Sequence, residues 1–209
     1  ISIGNFLHAP NVDATIILKN TLWKLIKKQL LNAELHVYGA YPSQQILQMN
    51  APKDGFFVYG FVSNAHGAIQ NSRVLLAPLR FGAGIKGKLT DAMQCGTPSV
   101  TTSIGAEGMH GNLPWNGFVT DTWEVFAEQA VQLYSKRSVW IKAQENGIEI
   151  CNQCYSKKVM ENRFLEVIKV QFENLKTIRH KNFIGQMLQH HTLQSTKYLS
   201  KWIEEKNRK

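Results

Sequence analysis

What this chain lacks narrows it before any motif is read. No apolar run reaches the roughly 18 residues that a membrane-spanning helix needs, so a helical span is excluded. Only three cysteines are present, which suits a reducing compartment. Cys151 and Cys154 form a single C-x2-C, with no second pair and no nearby histidine. A structural zinc needs four ligands, so this pair reads as two free, partly buried thiols on one helix face, and no metal is expected. No match to G-x4-G-K-[ST] occurs, which excludes a Walker A phosphate loop. Internal repeats and low-complexity segments are missing too.

What remains has the composition of a soluble globular protein: 209 residues, 44% hydrophobic and 19% charged. That length suffices for one well-buried core with an appendage. The first residues, "ISIGNF", are strand-like, and the chain is expected to be part of a longer polypeptide. The net charge of +9 is unevenly spread: residues 176–209 hold 8 Lys and Arg against 2 Glu, and the rest holds 16 against 13. The tail is therefore basic and the main fold close to neutral. A solvated basic helix and contact with an anionic surface both fit the tail. Scarce interleaving of aromatic and basic residues argues against a nucleic-acid stripe.

Strand and helix signals alternate along the chain. "SIGNF" reads as a strand, with Asp13 capping a helix over 14–31 in which Ile16, Ile17, Leu22, Leu25, Ile26 and Leu30 recur at helical spacing. "ELHVYGA", "GFFVYGFV", "RVLLAPL", "PSVTTS" and "GFVTD" are the further strands, with helices between them and Thr122 or Asp121 capping a helix from Trp123. Short buried strands alternating with helices predict an α/β fold: a doubly wound, Rossmann-like parallel sheet of about six strands with helices on both faces. From Ser138 onward the reading is helical. The expected division is 1–175 for the main domain and 176–209 for a basic helical extension. There His190 and His191 lack ligand spacing, and Phe183, Met187, Leu188, Leu193, Tyr198, Leu199 and Trp202 form a broken apolar stripe.

The densest signal is "LRFGAGIKGKLTDAM" at residues 79–93. Glycines at a strand-to-helix turn bring backbone N–H groups together at a helix N-terminus, where an anion is favoured. Arg80, Lys86 and Lys88 add charge, and lysines there oppose the helix dipole unless an anion is near. Asp91, one turn on, can accept hydrogen bonds from a pair of sugar hydroxyls. Phosphate and a hydroxyl pair together suggest a nucleotide. The other glycine-bearing segments, "GNFLHAPN", "GFVS" and "SIGAEGMHG", follow other strands, and a doubly wound sheet binds ligands at those carboxyl ends.

The stretch "RVLLAPLRFGAGIKGKLTDAMQCGTPSVTTSIGAEGM" resembles the C-terminal donor-binding half of retaining, family 4-type (group 1) glycosyltransferases with the GT-B fold. The similarity runs from "GNFLHAPN" to about Tyr134. It implies a donor-binding half that acts with an acceptor domain lying outside this chain. The donor would be a nucleoside diphosphate sugar such as a UDP or GDP sugar, with no metal and no cofactor besides that substrate. It implies diphosphate contacts from Arg80, Gly84, Ile85, Lys86 and Lys88 and ribose contacts from Asp91. It further implies a nucleobase loop at Phe61, Val62 and Ser63, and a cleft turn at Gly4, Asn5 and Phe6. The family's acidic pair has seven residues between its two Glu; here the earlier position is Ala83 and the later is Asp91. Glu107, in "GAEG", is the candidate to replace the missing carboxylate.

Plainer readings stand beside these. Arg80 can pair with a carboxylate near the strand end, Glu107 can be a solvated loop residue, and His8 and His110 need no role. Trp115 and Trp123 read as packing anchors. The expected setting is cytoplasmic, with peripheral contact at a membrane surface through the tail. The alternative is a non-catalytic nucleotide-sugar-binding module that docks on an anionic membrane or partner by that tail.

Overall fold

The computed structural model describes residues 1–208, apart from the side chains at 189–193; His190, His191, Leu193 and Lys209 thus lie outside the described residues. The chain divides into two compact units between Ser156 and Lys157. In the first, β1 (Ser2–Ile3) leads to α1 (Ala9–Ile17), which continues through a π-helical turn at Leu18–Leu22 into α2 (Trp23–Gln29). Then come β2 (Leu35–Tyr38), α3 (Gln44–Leu47), β3 (Phe56–Gly60), α4 (Ala65–Gln70), β4 (Leu75–Ala77) and α5 (Gly87–Gln94). The unit closes with β5 (Ser99–Thr101), α6 (Ser103–Ala106), β6 (Gly117–Val119), α7 (Trp123–Ser135) and α8 (Arg137–Cys154).

All strands are parallel, in two three-stranded sheets, β1-β2-β3 and β4-β5-β6. The expected sheet of six is thus two halves. They adjoin where the Ile1 amino group donates to Val74 O and Leu76 N donates to Ile1 O, each at 2.8 Å. With β1 two residues long and β4 three, the seam has too little backbone for a regular ladder. The spatial order is nevertheless 3-2-1-4-5-6, with the topological switch point between β1 and β4.

Alternation along the strands fills two cores. Leu35, Val37, Leu76 and Val100 face Leu18, Leu22, Trp23, Ile26, Phe126 and Leu133 from the π-helical turn, α2 and α7. Leu75 and Ala77 face the other way, onto Ile69, Leu89, Met93 and Ile150 from α4, α5 and α8. Each buried Leu, Ile, Val, Met or Phe among them contributes about 1.5–3 kcal/mol relative to exposure. Trp115 and Trp123 are packing residues, as expected; Trp115 Nε1 donates to Ser99 Oγ at 3.2 Å inside the second core. Cys151 and Cys154 lie half-buried on α8, and burial, followed by the neighbouring Cys154, pushes the Cys151 thiol up.

Asp13 does not cap the first helix. That helix begins five residues earlier than the predicted 14, because Pro10 occupies its first turn, where a missing N–H costs nothing. Thr122 does sit at the N-cap of α7, without a side-chain cap bond, and Gly96, with φ +71°, follows the end of α5.

The second unit comprises α9 (Lys157–Glu173), α10 (Leu175–Lys181) and α11 (Phe183–Asn207). It begins earlier than the expected boundary at residue 176, because α8 is the last helix to bury side chains. No described residue after Ser156 is buried.

Candidate functional site

At the carboxyl ends of β1 and β4 the chain encloses a cavity of about 520 Å³. Its wall combines the turn after β1, the start of α1, the glycine turn and the first turns of α5. This is the crevice at the switch point where doubly wound sheets bind ligands.

The glycine turn is built by backbone necessity. Gly84 takes φ +72°, a left-handed conformation that side-chain-bearing residues rarely hold. The chain then straightens at Lys86, the N-cap of α5, whose φ of −90° and ψ of 95° are extended. Lys86 is buried, and its Nζ donates to Gly84 O at 2.7 Å. Lys88, one helical step inside, is half-buried as a whole, but its ammonium is desolvated. That Nζ donates to Asn11 Oδ1 at 2.7 Å, and burial pulls its pKa down to about 8. Gly4 makes room for it: a Cβ there would stand 2.7 Å from Lys88 Nζ. Two cations therefore sit at a helix N-terminus, the end that favours anions.

The structure brings together Gly4, Asn5, Ile85, Lys86, Lys88 and Asp91 at this cavity. Asp91 also faces α4, with its Oδ1 3.4 Å from His66 Nε2. Gly84 stands outside the lining but ties Lys86 in place. Six other expected contributors are placed elsewhere. Arg80 is paired with Asp13 of α1: Nε donates to Oδ2 at 2.9 Å, and a second bond joins Nη2 to Oδ1. The bond to Asp13 and its charge hold the guanidinium above its usual range, and Arg80 does not line the cavity. Phe6 turns back into the first core, where an apolar ring gains more than in a polar cleft. Glu107 is exposed just past α6 and lies outside the lining. Phe61, Val62 and Ser63 also lie outside it, in the segment joining β3 to α4, with Phe61 largely exposed. Ala83 is in the wall, so the position lacking its acidic residue does face the cavity.

Sequence reasoning missed His8, Pro10, Asn11 and Phe81 as cavity residues. The first three belong to "GNFLHAPN", a segment whose place after the first strand was the available signal. A smaller cavity, about 310 Å³, lies at the amino ends of β2 and β4 beside Trp23, Leu35, Arg73 and Tyr134, away from the glycine turn.

The profile of the family described as "Glycosyl transferases group 1" matches residues 1–136. The chain belongs to that family. Solved structures share its fold. A TarM mutant from S. aureus, in complex with fondaparinux, alpha-GlcNAc-glycerol and UDP, matches with TM-score 0.65 and 16% identity over 79% of this chain and 34% of its own. A glycosyltransferase from Rickettsia africae gives 0.65 and 14% over 83% of this chain and 48% of its own. The pneumococcal O-GlcNAc transferase GtfA, in complex with UDP and GlcNAc, gives 0.62 and 15% over 81% and 35%. This chain thus spans about a third to a half of the length of those structures, and identities this low speak to fold alone. No curated protein matches by sequence.

The buried ammonium makes a testable demand on stability. Lys88 in the folded chain titrates near 8, against 10.5 when solvated. Between these values the unfolded chain binds more protons, so stability rises with pH across that window. Below pH 8 the cost of burying the charge is fully present. Lys88→Met should therefore stabilise the chain at pH 7, by on the order of 1–3 kcal/mol, with the gain shrinking as pH climbs toward 10.5. Denaturant unfolding at several pH values checks this; a gain independent of pH contradicts it.

Proposed function

We propose that this chain is the donor-binding half of a group 1 glycosyltransferase, which takes a nucleoside diphosphate sugar into the cavity between β1 and β4. The observation that carries this reading is the pair of lysines at the N-terminus of α5 in the cavity wall, Lys86 buried and Lys88 with a desolvated ammonium. Such a cradle fits a diphosphate. The TarM and GtfA structures, both in complex with UDP, support a nucleotide in this fold. Asp91 accepts the ribose hydroxyls, and the segment Phe61–Ser63 carries the nucleobase side. The acceptor would be held by a further domain closing over the donor. The transfer proceeds with retention, in keeping with the family resemblance.

The chemistry asked of these residues is charge stabilisation. As the glycosyl bond to the diphosphate lengthens, negative charge grows on the leaving oxygens. Lys86, Lys88 and the α5 N–H groups oppose it in a largely desolvated setting. This role needs no metal.

Calorimetry on point variants tests the assignment. Lys86→Ala should weaken UDP binding roughly ten- to hundredfold, the range of a charge-assisted hydrogen bond. Asp91→Asn should cost less and should erase the preference for UDP over its 2′,3′-blocked analogue. Equal and negligible effects would leave the glycine turn a purely structural feature.

A second reading is favoured by Ala83 in the cavity wall and by α11. That helix exposes Tyr198, Trp202 and Ile203 beside Lys197, Lys201 and Lys206. Here the chain holds its nucleotide-sugar without turning it over, and the tail docks on an anionic membrane. Flotation with phosphatidylglycerol vesicles decides it. Salt-sensitive binding lost on removing residues 183–209, with no sugar transfer to any acceptor, supports the module; absence of vesicle binding eliminates it.

A further inference from the structure

The first turns of α1 meet the glycine turn at three points. Asp13 holds Arg80 ahead of it, Pro10 lies 3.6 Å from where a Cβ on Gly82 would stand, and Asn11 holds Lys88 beyond it. Only the last contact is made by a charge that lines the cavity. The Asn11 amide is itself oriented. Its Nδ2 donates to Asn5 O at 2.7 Å, which leaves Oδ1 to accept from Lys88 Nζ at 2.7 Å. A reversed amide would set donor against donor at Lys88 and acceptor against acceptor at Asn5. Gly4 completes the socket, since a Cβ there would stand 2.7 Å from both Asn11 Cγ and Lys88 Nζ.

The partner Lys88 has is neutral. Among the described residues no carboxylate lies within ion-pair distance of its Nζ. The titratable groups around the cavity are otherwise committed or distant in role. His8 precedes α1, Lys86 bonds Gly84 O, Asp91 faces His66 of α4, and Asp13 is held by Arg80. A carboxylate in the place of the Asn11 amide would hold the ammonium equally well but cancel its charge. An apolar side chain would leave the charge in place but unheld.

We propose that Asn11 is a positioning residue: it fixes the Lys88 ammonium in the cavity wall through a neutral acceptor, so that its whole charge is available to an incoming diphosphate. This rests on the reading of the cavity as a diphosphate site. Two consequences follow for substitutions at this position. Removing the acceptor strips a hydrogen bond from the charged form of Lys88 and drives its proton off at lower pH. Supplying a carboxylate holds that proton to higher pH, yet repels the ligand's own negative charge.

Titration calorimetry with inorganic pyrophosphate, on the full chain and from well below to well above pH 8, tests this without assuming a nucleobase. In the unsubstituted chain affinity should fall as pH rises through about 8. Asn11→Leu should weaken binding about tenfold at neutral pH and move that fall to lower pH. Asn11→Asp, nearly isosteric and therefore a guard against misfolding, should also weaken binding but move the fall to higher pH. Opposite displacements of the pH midpoint are something a merely structural role would not produce. Both variants keeping the original midpoint would overturn the inference. Lys88→Met supplies the control: if it binds pyrophosphate normally, the diphosphate site itself falls, whereas a large loss there with silent Asn11 variants defeats only the role of Asn11.

Discussion

Two ammonium groups held at the positive end of a helix are the constraint around which this fold is arranged. Lys86 and Lys88 repel each other and oppose the dipole of α5, and burial deprives them of water. A sequence indifferent to anions has no reason to keep them there. The neighbours reduce the cost with neutral dipoles, Gly84 O for one and the Asn11 amide for the other, and leave the net charge uncancelled. A cavity with uncancelled charge at a helix N-terminus is prepared for an anion before the anion arrives. The proposed role on a leaving diphosphate draws on that preparation, because no protein reorganisation is then needed when charge develops.

The scaffold explains how this arrangement is held. The switch point parts the chain between β1 and β4, so the turns following those strands face each other across a crevice. Helix α1 leaves one turn and α5 leaves the other; α1 is anchored by Ile17 in the first core and Ala14 in the second, and α5 by Leu89, Ala92 and Met93 in the second. The ion pair of Arg80 with Asp13 ties the outer flank of the glycine turn to α1 while taking no part in the cavity. It is exposed, so its worth lies in geometry more than in stability. One cation of the three in this turn is thus paired with a carboxylate, and the other two have neutral partners.

The features legible in the sequence are those set by local physics. Helical and strand periodicities marked all six strands and most of the helices, and the turn from β4 to α5 declared itself by Gly82, Gly84 and two misplaced lysines. Contacts between distant segments were not legible. Asn11 and Lys88 are 77 residues apart, and Asp13 and Arg80 are 67 apart, so neither pair leaves a spacing signature. Asp13 resembled a cap because an acidic residue preceded the apolar run; Pro10, a stronger start signal, was only three residues away. Phe6 followed the cleft turn in sequence, but its ring belongs to the core, and sequence order alone does not show which way a turn residue points. Glu107 illustrates the same limit from the other side, since a glycine-flanked loop residue can equally face solvent.

A crystal structure of this chain grown with UDP, and a parallel one with GDP, tests whether Lys86 and Lys88 receive a diphosphate. The expected result is a diphosphate in the cavity beside Gly4, with its oxygens within hydrogen-bond distance of Lys86 Nζ and Lys88 Nζ and its ribose toward Asp91. A nucleotide bound at the amino-end cavity beside Arg73 and Tyr134, or one in the switch-point crevice touching neither lysine, would contradict it.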